Sequence, residues 1–400
     1  MDWVTGCDPE TRDRWIMWLS GGAGAGKSAI GQTFAEQCDR EGRLLASFFF
    51  GRSDPTRNNA KFLIPTIACQ VYEKIPEARI NILSAIDNDP MLFEKAFLIQ
   101  LLSLVIEPLK RLGDAVPPNV IVIDGLDECM DIGSQTAILH TLFEAVQKHC
   151  CGIRFLVASR PEHDIATTIS LQDNTVLARL VLDDGYRPNR DIRYFLNYKI
   201  QSIKETHPFR HLLPQEWPED EHVDEVVRKS SGQFIYVSTV IRYIESNRHR
   251  PDHRLEIVRN LRPHQGDLPF AELDALYTHI LTAVKDISTI VELLGFVLYA
   301  TQVYKDLPTA YVEACHDLER GSLQLILCDL GALVEINKDG IIKVLHASLL
   351  DFLLDPSRSK KLPISGSELI TKHITRCFRF FSSACSSAHP IPVLQLKCPP

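Results

Sequence analysis

Several hallmarks of other protein classes are missing from this 400-residue sequence. Its eleven cysteines are odd in number and include no C-x-x-C pair, which argues against a disulfide framework or a zinc site. The N-terminus lacks the basic and apolar segments of a secretion signal, and no apolar run approaches the roughly 18 residues of a membrane span. We therefore expect reduced thiols and a soluble, cytoplasmic protein with no membrane partner.

Excess basic charge, internal repeats and low-complexity tracts are also absent. The formal net charge is -8, which argues against a nucleic-acid partner. Hydrophobic residues make up 45% of the chain and charged residues 24%, proportions that support sizeable cores. The length allows roughly two to four domains.

The most informative stretch that is present is a glycine-rich loop, residues 21–28, which reads Gly-Gly-Ala-Gly-Ala-Gly-Lys-Ser. Its glycines allow backbone N–H groups to turn towards a phosphate, Lys27 can reach the β- and γ-phosphates, and Ser28 can ligate Mg²⁺. The helix predicted after the loop adds the positive end of its dipole. The candidate residues for binding ATP or ADP are Gly21, Gly22, Ala23, Gly24, Ala25, Gly26, Lys27, Ser28 and Ala29.

A second motif supplies carboxylates. Residues 120–128 read Val-Ile-Val-Ile-Asp-Gly-Leu-Asp-Glu, an apolar run that ends in acids. Ligands bind at the carboxyl ends of parallel strands, so we expect Asp124 to complete the Mg²⁺ shell that Ser28 begins. Asp127 and Glu128 are both candidates for the general base that polarises an attacking water.

A third apolar run, residues 154–158, leads into Ser-Arg-Pro. Arg160 at this strand end can stabilise charge on a γ-phosphate in the transition state, or report which nucleotide is bound. The alternative is an arginine that pairs with a nearby carboxylate. Arg52 and Arg57, which follow a Phe-rich run, are weaker candidates for the same role.

Apolar runs in the first half predict an α/β fold. They are continuous rather than alternating, which is typical of parallel strands covered by helices on both faces, and helical spacing separates them. The five predicted strands are residues 14–20, 44–50, 119–123, 154–158 and 178–182. We expect a P-loop NTPase domain over residues 1–187.

Strand signals stop after about residue 187, and the apolar periodicity predicts a helical domain over residues 188–285, broken near 263–266. Residues 286–355 combine helical runs with a turn at 337–340 between apolar alternations, which indicates a hairpin. Helices followed by a hairpin predict a winged-helix domain. Residues 356–400 are expected to form a C-terminal tail.

Three motifs together resemble the NACHT family of signal-transducing (STAND) P-loop ATPases: the loop at 21–28, Asp-Gly-Leu-Asp-Glu at 124–128, and Ala-Ser-Arg-Pro at 158–161. The sequences of residues 18–30 and of Ala-Ser-Phe-Phe-Phe at 46–50 are similar to those of the NACHT type that is abundant in mushroom-forming (basidiomycete) fungi. The resemblance covers about residues 11–355.

The resemblance implies a switch with slow ATP hydrolysis, of the kind found in intracellular signalling and innate immunity. In such proteins an ADP-bound closed monomer exchanges to ATP, opens and forms a homo-oligomer through the NTPase domain. Residues 344–352 resemble the winged-helix motif whose histidine touches the β-phosphate of ADP, which makes His346 a candidate sensor. Effector partners and the activating signal are not indicated.

One departure from the family leaves base recognition open. Its helical domain usually carries Gly-x-Pro against the adenine, whereas Phe234 stands here in the proline position. The usual N-terminal effector domain and C-terminal sensing repeats are also not seen. Two alternatives stay open: a small-molecule P-loop kinase, although no arginine-rich lid is evident between residues 51 and 118, and a truncated, non-hydrolysing scaffold.

Overall fold

The computed structural model describes the chain except for residues 53, 114–118, 150–151, 173–174, 183–187, 263–269, 285–286, 305, 347, 360–361, 363–370, 373, 377 and 379–400. The predicted break at 263–266 and most of the predicted tail lie outside the described residues. Two compact units are present, the first comprising residues 1–198 and 223–237 and the second residues 199–222 and 238–400.

A five-stranded sheet forms the centre of the first unit. Its strands are β1 (Ile16–Gly21), β2 (Leu44–Phe49), β3 (Asn119–Asp124), β4 (Ile153–Ser159) and β5 (Leu177–Leu182). Their order in the sheet is β2-β3-β4-β1-β5, and every neighbouring pair is parallel. The predicted α/β fold with a parallel sheet is confirmed.

Burial on both faces explains the uninterrupted apolar sequence of the central strand β3, whereas the edge strand β5 is partly exposed and contains Arg179. Side chains alternate between the two faces of a strand, so Ile121 and Ile123 join the larger core while Val120 and Val122 join the smaller one. All four side chains are fully buried. A strand placed this way has no polar face, which is why period-two patterning is missing from it.

Helices α1 to α8 cover this sheet. Their bounds are α1 Asp2–Thr5, α2 Lys27–Arg40, α3 Leu63–Lys74, α4 Arg79–Asn88, α5 Phe97–Leu101, α6 Glu107–Lys110, α7 Ile132–His149 and α8 His163–Ser170. A π-helical turn, Leu102–Ile106, joins α5 to α6. Pro108 has no N–H to donate to the carbonyl of Leu104, so the α-helical bond pattern cannot run unbroken through this stretch.

The first fourteen residues are tied to strand β4 through Arg154. Its guanidinium lies over the rings of Trp3 and Trp15, 5.6 Å and 4.7 Å from their centroids. It donates hydrogen bonds of 2.7 Å to the carbonyls of Arg12 and Arg14. Burial lowers the pKa of Arg154, and these two carbonyls and two π faces take the place of water around its charge.

Three helices contain residues of both units: α9 (Pro188–Thr206), α10 (Asp220–Lys229) and α11 (Phe234–Ile244). Short 3₁₀ turns occur at Ala60–Phe62, Pro76–Ala78, Leu92–Glu94, Leu126–Glu128, Arg210–Leu212 and Cys328–Leu330. None of the helices in the described part of the chain combines the length and apolar character that a membrane crossing needs.

The second unit is mainly helical. It contains α12 (Pro251–Asn260), α13 (Ala271–Thr282), α14 (Ile287–Val303), α15 (Thr309–Cys315), α16 (Ser322–Leu327), α17 (Ser348–Leu354) and α18 (Pro356–Ser359). Strands β6 (Val334–Ile336) and β7 (Ile342–Val344) pair antiparallel, so the predicted hairpin is present. Asn337 stabilises its turn, because Oδ1 accepts the N–H groups of Asp339 and Ile341.

Candidate nucleotide-binding site

Strand order brings the three sequence motifs to one edge of the sheet. The glycine-rich loop follows β1, the acidic motif follows β3, and Arg160 follows β4. Because β4 lies between β1 and β3, the three carboxyl ends are neighbours. This edge is where open parallel sheets bind ligands.

The phosphate loop, residues 21–28, connects β1 directly to α2. Gly24 and Gly26 have φ values of +74° and +93°, a backbone conformation that side chains with a Cβ disfavour. Lys27 begins α2, and its Nζ donates to the carbonyls of Gly21 at 2.8 Å and Gly22 at 3.0 Å. The loop therefore holds its own lysine at the start of the helix.

The remaining predicted loop residues lie between the glycines or at the start of α2. Ala23 and Ala25 lie between the glycines, and Ala29 is in the first turn of α2. Burial lowers the pKa of Lys27, and the charges of Asp127, Asp124 and Glu128 act in the opposite direction. The electrostatic influence of these acids on the Lys27 amine shows that the structure gathers the predicted cation and carboxylates into one site.

Asp124 and Ser28 form the candidate Mg²⁺ site. The Ser28 side chain hydrogen-bonds to the buried Asp124 carboxylate, and burial raises the pKa of Asp124 despite that bond. Among the described residues, Asp124 Oδ1 is a buried oxygen that has no hydrogen-bond partner. A buried carboxylate oxygen in need of a partner, beside a serine hydroxyl, fits the oxygen donors that Mg²⁺ prefers.

A glycine that the sequence analysis did not single out lies next to Asp124. A Cβ placed on Gly31 in α2 would lie 3.4 Å from Asp124 Oδ1, an ordinary van der Waals contact, so alanine fits at this position. Gly31 is buried, which leaves little room for a longer side chain beside the carboxylate. The only sequence feature that could have identified Gly31 is its position one turn after Lys27.

Asp127 holds Arg160 by two contacts. Its Oδ1 accepts the backbone N–H of Arg160 at 2.9 Å, and its Oδ2 lies 3.2 Å from the Arg160 Nε. The side chains are 4% and 19% exposed, so solvent screens the pair little. The carboxylate pairing that the sequence left as the alternative for Arg160 is therefore present, and Asp127 is its partner.

Glu128 differs from its neighbour. One of its oxygens, Oε2, accepts the backbone N–H of Arg52 at 3.0 Å, and burial raises the pKa of Glu128. A carboxyl whose pKa is raised is a better proton acceptor, so the geometry favours Glu128 over Asp127 as a general base. Arg57, the other weak candidate, pairs with Asp54 at 2.8 Å in its own loop.

The first turn of α11 packs on the phosphate loop. A Cβ placed on Gly24 would lie 2.1 Å from Cγ2 of Ile235, and one placed on Gly26 would lie 3.6 Å from Cδ2 of Phe234. Phe234 in turn contacts Phe195 of α9, with 6.2 Å between ring centroids. The sequence analysis considered Phe234 only as a departure from the family at the adenine-binding position and missed Ile235, because no short-range pattern reports this packing.

His346 belongs to the second unit, in the short segment between β7 and α17. Its Nδ1 accepts the backbone N–H of Ser348 at 3.0 Å and lies 2.7 Å from the Ser348 Oγ. The ring is partly exposed. Its expected contact with the β-phosphate of ADP stays a prediction.

Comparisons with known proteins found a family match over part of the chain and a distant structural similarity. The family model for the N-terminal part of nephrocystin 3 matches residues 2–160, which include the phosphate loop, the acidic motif and Arg160. A chain from the structure of Drosophila ORC bound to DNA is similar at 12% identity with a TM-score of 0.35, over 88% of this chain and 91% of that one. No curated protein matches the sequence. The sheet, the phosphate loop and the family match give the chain a P-loop NTPase-like fold.

Proposed function

We propose that this chain is an ATP/ADP-binding molecular switch of the NACHT type that hydrolyses ATP slowly and assembles into a homo-oligomer when ATP is bound. The observation that carries the proposal is the meeting of the lysine, the serine and carboxylate pair, and the arginine at three adjacent strand ends. A phosphate chain in this loop would meet backbone N–H groups, the Lys27 amine and the N-terminus of α2.

Each side chain has a role that follows from its contacts. Ser28 and Asp124 would hold Mg²⁺, which when bound neutralises charge on the β- and γ-phosphates. Glu128 accepts a proton from the attacking water. Arg160 lies beside the site, held by Asp127, and would stabilise charge on the γ-phosphate.

The Asp127–Arg160 pair supports a switch more than a rapid catalyst. While the guanidinium is bound to Asp127, its charge is partly neutralised and stabilises a γ-phosphate less. A γ-phosphate competes with Asp127 for the same guanidinium, so ATP and ADP favour different arrangements of this pair. Slow hydrolysis is the expected consequence.

The second unit supplies the remaining parts of the proposal. The β6–β7 hairpin and the helices around it support a winged-helix domain over residues 286–355, after a helical domain over 188–285. In the closed ADP state, His346 contacts the β-phosphate. A basidiomycete-type NACHT protein and a role in cytoplasmic signalling of the innate-immunity kind are proposed on the sequence resemblance alone.

Identification of the nucleotide that copurifies with the full chain tests this function. We expect denaturation to release ADP, and light scattering to show a larger particle with a non-hydrolysable ATP analogue than with ADP. Lys27→Ala should abolish nucleotide retention and assembly. The control is Lys148→Ala, which removes an exposed lysine that pairs with Glu144 on α7.

Two results would support other functions. Rapid ATP turnover only in the presence of a metabolite would indicate a small-molecule kinase. Folding and assembly that are indifferent to Lys27→Ala, with no bound nucleotide, would indicate a non-hydrolysing scaffold.

A further inference from the structure

One peptide group in the loop after β2 lies against Glu128. We call the described residues of this loop, 51–52 and 54–58, the β2 loop. The N–H of Arg52 donates to Oε2 of Glu128 at 3.0 Å. The carbonyl of Gly51, which belongs to the same peptide group, accepts the N–H of Asp54 at 2.9 Å. Because the N–H and C=O of a trans peptide point in opposite directions, Asp54 and Glu128 hold this group from opposite sides.

The side chain of Asp54 keeps the β2 loop in this conformation. Its Oδ1 accepts the N–H and the hydroxyl of Thr56 at 2.9 Å and 2.6 Å, and its Oδ2 accepts the Nε–H of Arg57 at 2.8 Å. Burial acts to raise the pKa of Asp54, but these bonds lower it overall, so the side chain stays charged. The carbonyl of Arg57 accepts the N–H of Gly51 at 3.1 Å, which closes the loop on itself.

A second attachment joins the β2 loop to the acidic motif through Asn58, which is buried. The carbonyl of Asn58 accepts the N–H of Met130 at 2.9 Å, and its Nδ2 donates to the carbonyl of Arg52 at 3.4 Å. The loop therefore contacts the segment that carries Glu128 both at the carboxylate and just after it.

The bond from Arg52 restricts the orientation of the Glu128 carboxylate. It uses Oε2 and leaves Oε1 as the oxygen that can take a proton. A base must lie within hydrogen-bond reach of the proton that it removes, so a carboxylate fixed at one oxygen is better placed than a freely rotating one. The charged and titratable groups that influence Glu128 are Asp127, Arg52, Arg160 and Lys27.

We propose that Asp54 is a positioning residue for ATP hydrolysis, because it holds the Gly51–Arg52 peptide group so that its N–H orients the carboxylate of Glu128 towards the attacking water. In that reaction the water oxygen bonds to the γ-phosphorus, the bond to the β,γ-bridging oxygen breaks, and Oε1 takes the proton that the water loses. The role of Glu128 as the base rests on the proposed function, whereas the contacts of the β2 loop do not.

Single-turnover ATP hydrolysis by the full chain tests this role. Asp54→Ala should lower the rate about tenfold, which equals about 1.4 kcal/mol of transition-state stabilisation. Nucleotide retention in a filter-binding assay should not change, because Asp54 acts on the base and not on the phosphates. Asp54→Asn should lose less activity, since its amide oxygen can still accept from Thr56. A parallel loss of nucleotide retention would show general damage to the site and contradict the proposal.

The pH profile of the same rate separates positioning from a general structural role. The bond from the Arg52 N–H stabilises the charged form of Glu128, so its loss should raise the pKa of Glu128. The acidic limb of the profile should therefore move to higher pH in Asp54→Ala. In a Glu128→Gln background, the change at Asp54 should add nothing, because it acts through this carboxylate. An unchanged acidic limb, or an equal fall in both backgrounds, would overturn the proposal.

Asp131→Ala is a matched control. Asp131 follows Glu128 closely and makes a similar bond within its own turn, where Oδ2 accepts the N–H of Ser134 at 2.8 Å. Its removal should leave the rate and the pH profile unchanged. If Asp54→Ala unfolds the domain, Asp54→Asn and Arg57→Met carry the test.

Failure of this proposal can be distinguished from failure of the proposed function. A wild type that hydrolyses no ATP would overturn both. A wild type whose hydrolysis depends on Glu128, with a pH profile that Asp54→Ala does not alter, would overturn the positioning role alone.

Discussion

Replacement of Asp127 by alanine should lower stability, because Asp127 holds the segment after β4. The change removes the acceptor of the Arg160 backbone N–H and the partner of the Arg160 guanidinium together. A hydrogen bond to a charged group contributes about 1.5–3 kcal/mol. The guanidinium regains some solvation because it is 19% exposed, so we expect a total loss of about 3 kcal/mol.

Thermal unfolding followed by circular dichroism measures this loss. A domain of roughly 200 residues loses about 2–4 °C per kcal/mol, so Asp127→Ala should lower Tm by about 6–12 °C. Asp127→Asn provides a graded comparison, since its amide oxygen can still accept the Arg160 N–H while the charge is lost. We expect about half the effect for Asp127→Asn.

Glu128→Gln is the matched control for the neighbouring acid. The amide keeps an acceptor for the Arg52 N–H, and burial already disfavours the charged carboxylate, so Tm should hold or rise slightly. ATP hydrolysis should fall by about 100-fold or more, because the general base is lost. A Tm unchanged by Asp127→Asn together with wild-type hydrolysis by Glu128→Gln would refute the assignment of roles to the two acids.

Three further predictions concern the same unit. Gly24→Ala should abolish nucleotide retention in a filter-binding assay, because the φ of +74° and the 2.1 Å approach of a Cβ to Ile235 both disfavour a side chain there. Gly22→Ala is the control and should retain nucleotide, because a Cβ at Gly22 would meet open space. The rate of ATP hydrolysis should fall as the pH drops through the raised pKa of Glu128, because the protonated carboxyl cannot act as a base. The contribution of Glu128 to the free energy of unfolding should be lost as the pH rises through the same pKa. Glu128→Gln should flatten both pH profiles. Arg154→Met should cost about 2 kcal/mol in urea unfolding, because two carbonyls lose their donor; an unchanged midpoint would contradict this account of the first fourteen residues.

The sheet was predictable because burial leaves a strong mark on the sequence. Strands covered on both faces are mainly apolar, so β3 appears as a continuous apolar run that ends in Asp124, and β4 as an apolar run that follows Arg154 and ends in Ser159. The glycine loop and the hairpin turn are similarly local, since positive φ values at Gly24, Gly26 and Gly340 are properties of single residues. Local constraints of this kind can be inferred from the sequence without knowledge of the tertiary structure.

Partners distant in the sequence were not predictable. The sequence placed Asp127 and Glu128 side by side as equal candidates, and only the fold shows that one binds Arg160 and the other the N–H of Arg52. The contact of Ile235 with Gly24 likewise depends on where α11 packs. Such contacts result from the arrangement of whole helices, which periodicity does not encode.

The packing of α11 on the phosphate loop constrains both partners. Ile235 occupies the space that a Cβ on Gly24 would need, so the helix requires the glycine as much as the backbone of the loop does. A substitution that enlarges either residue would therefore move the first turn of α11 away from the loop, and the loop would lose this contact even though Lys27 remained in place.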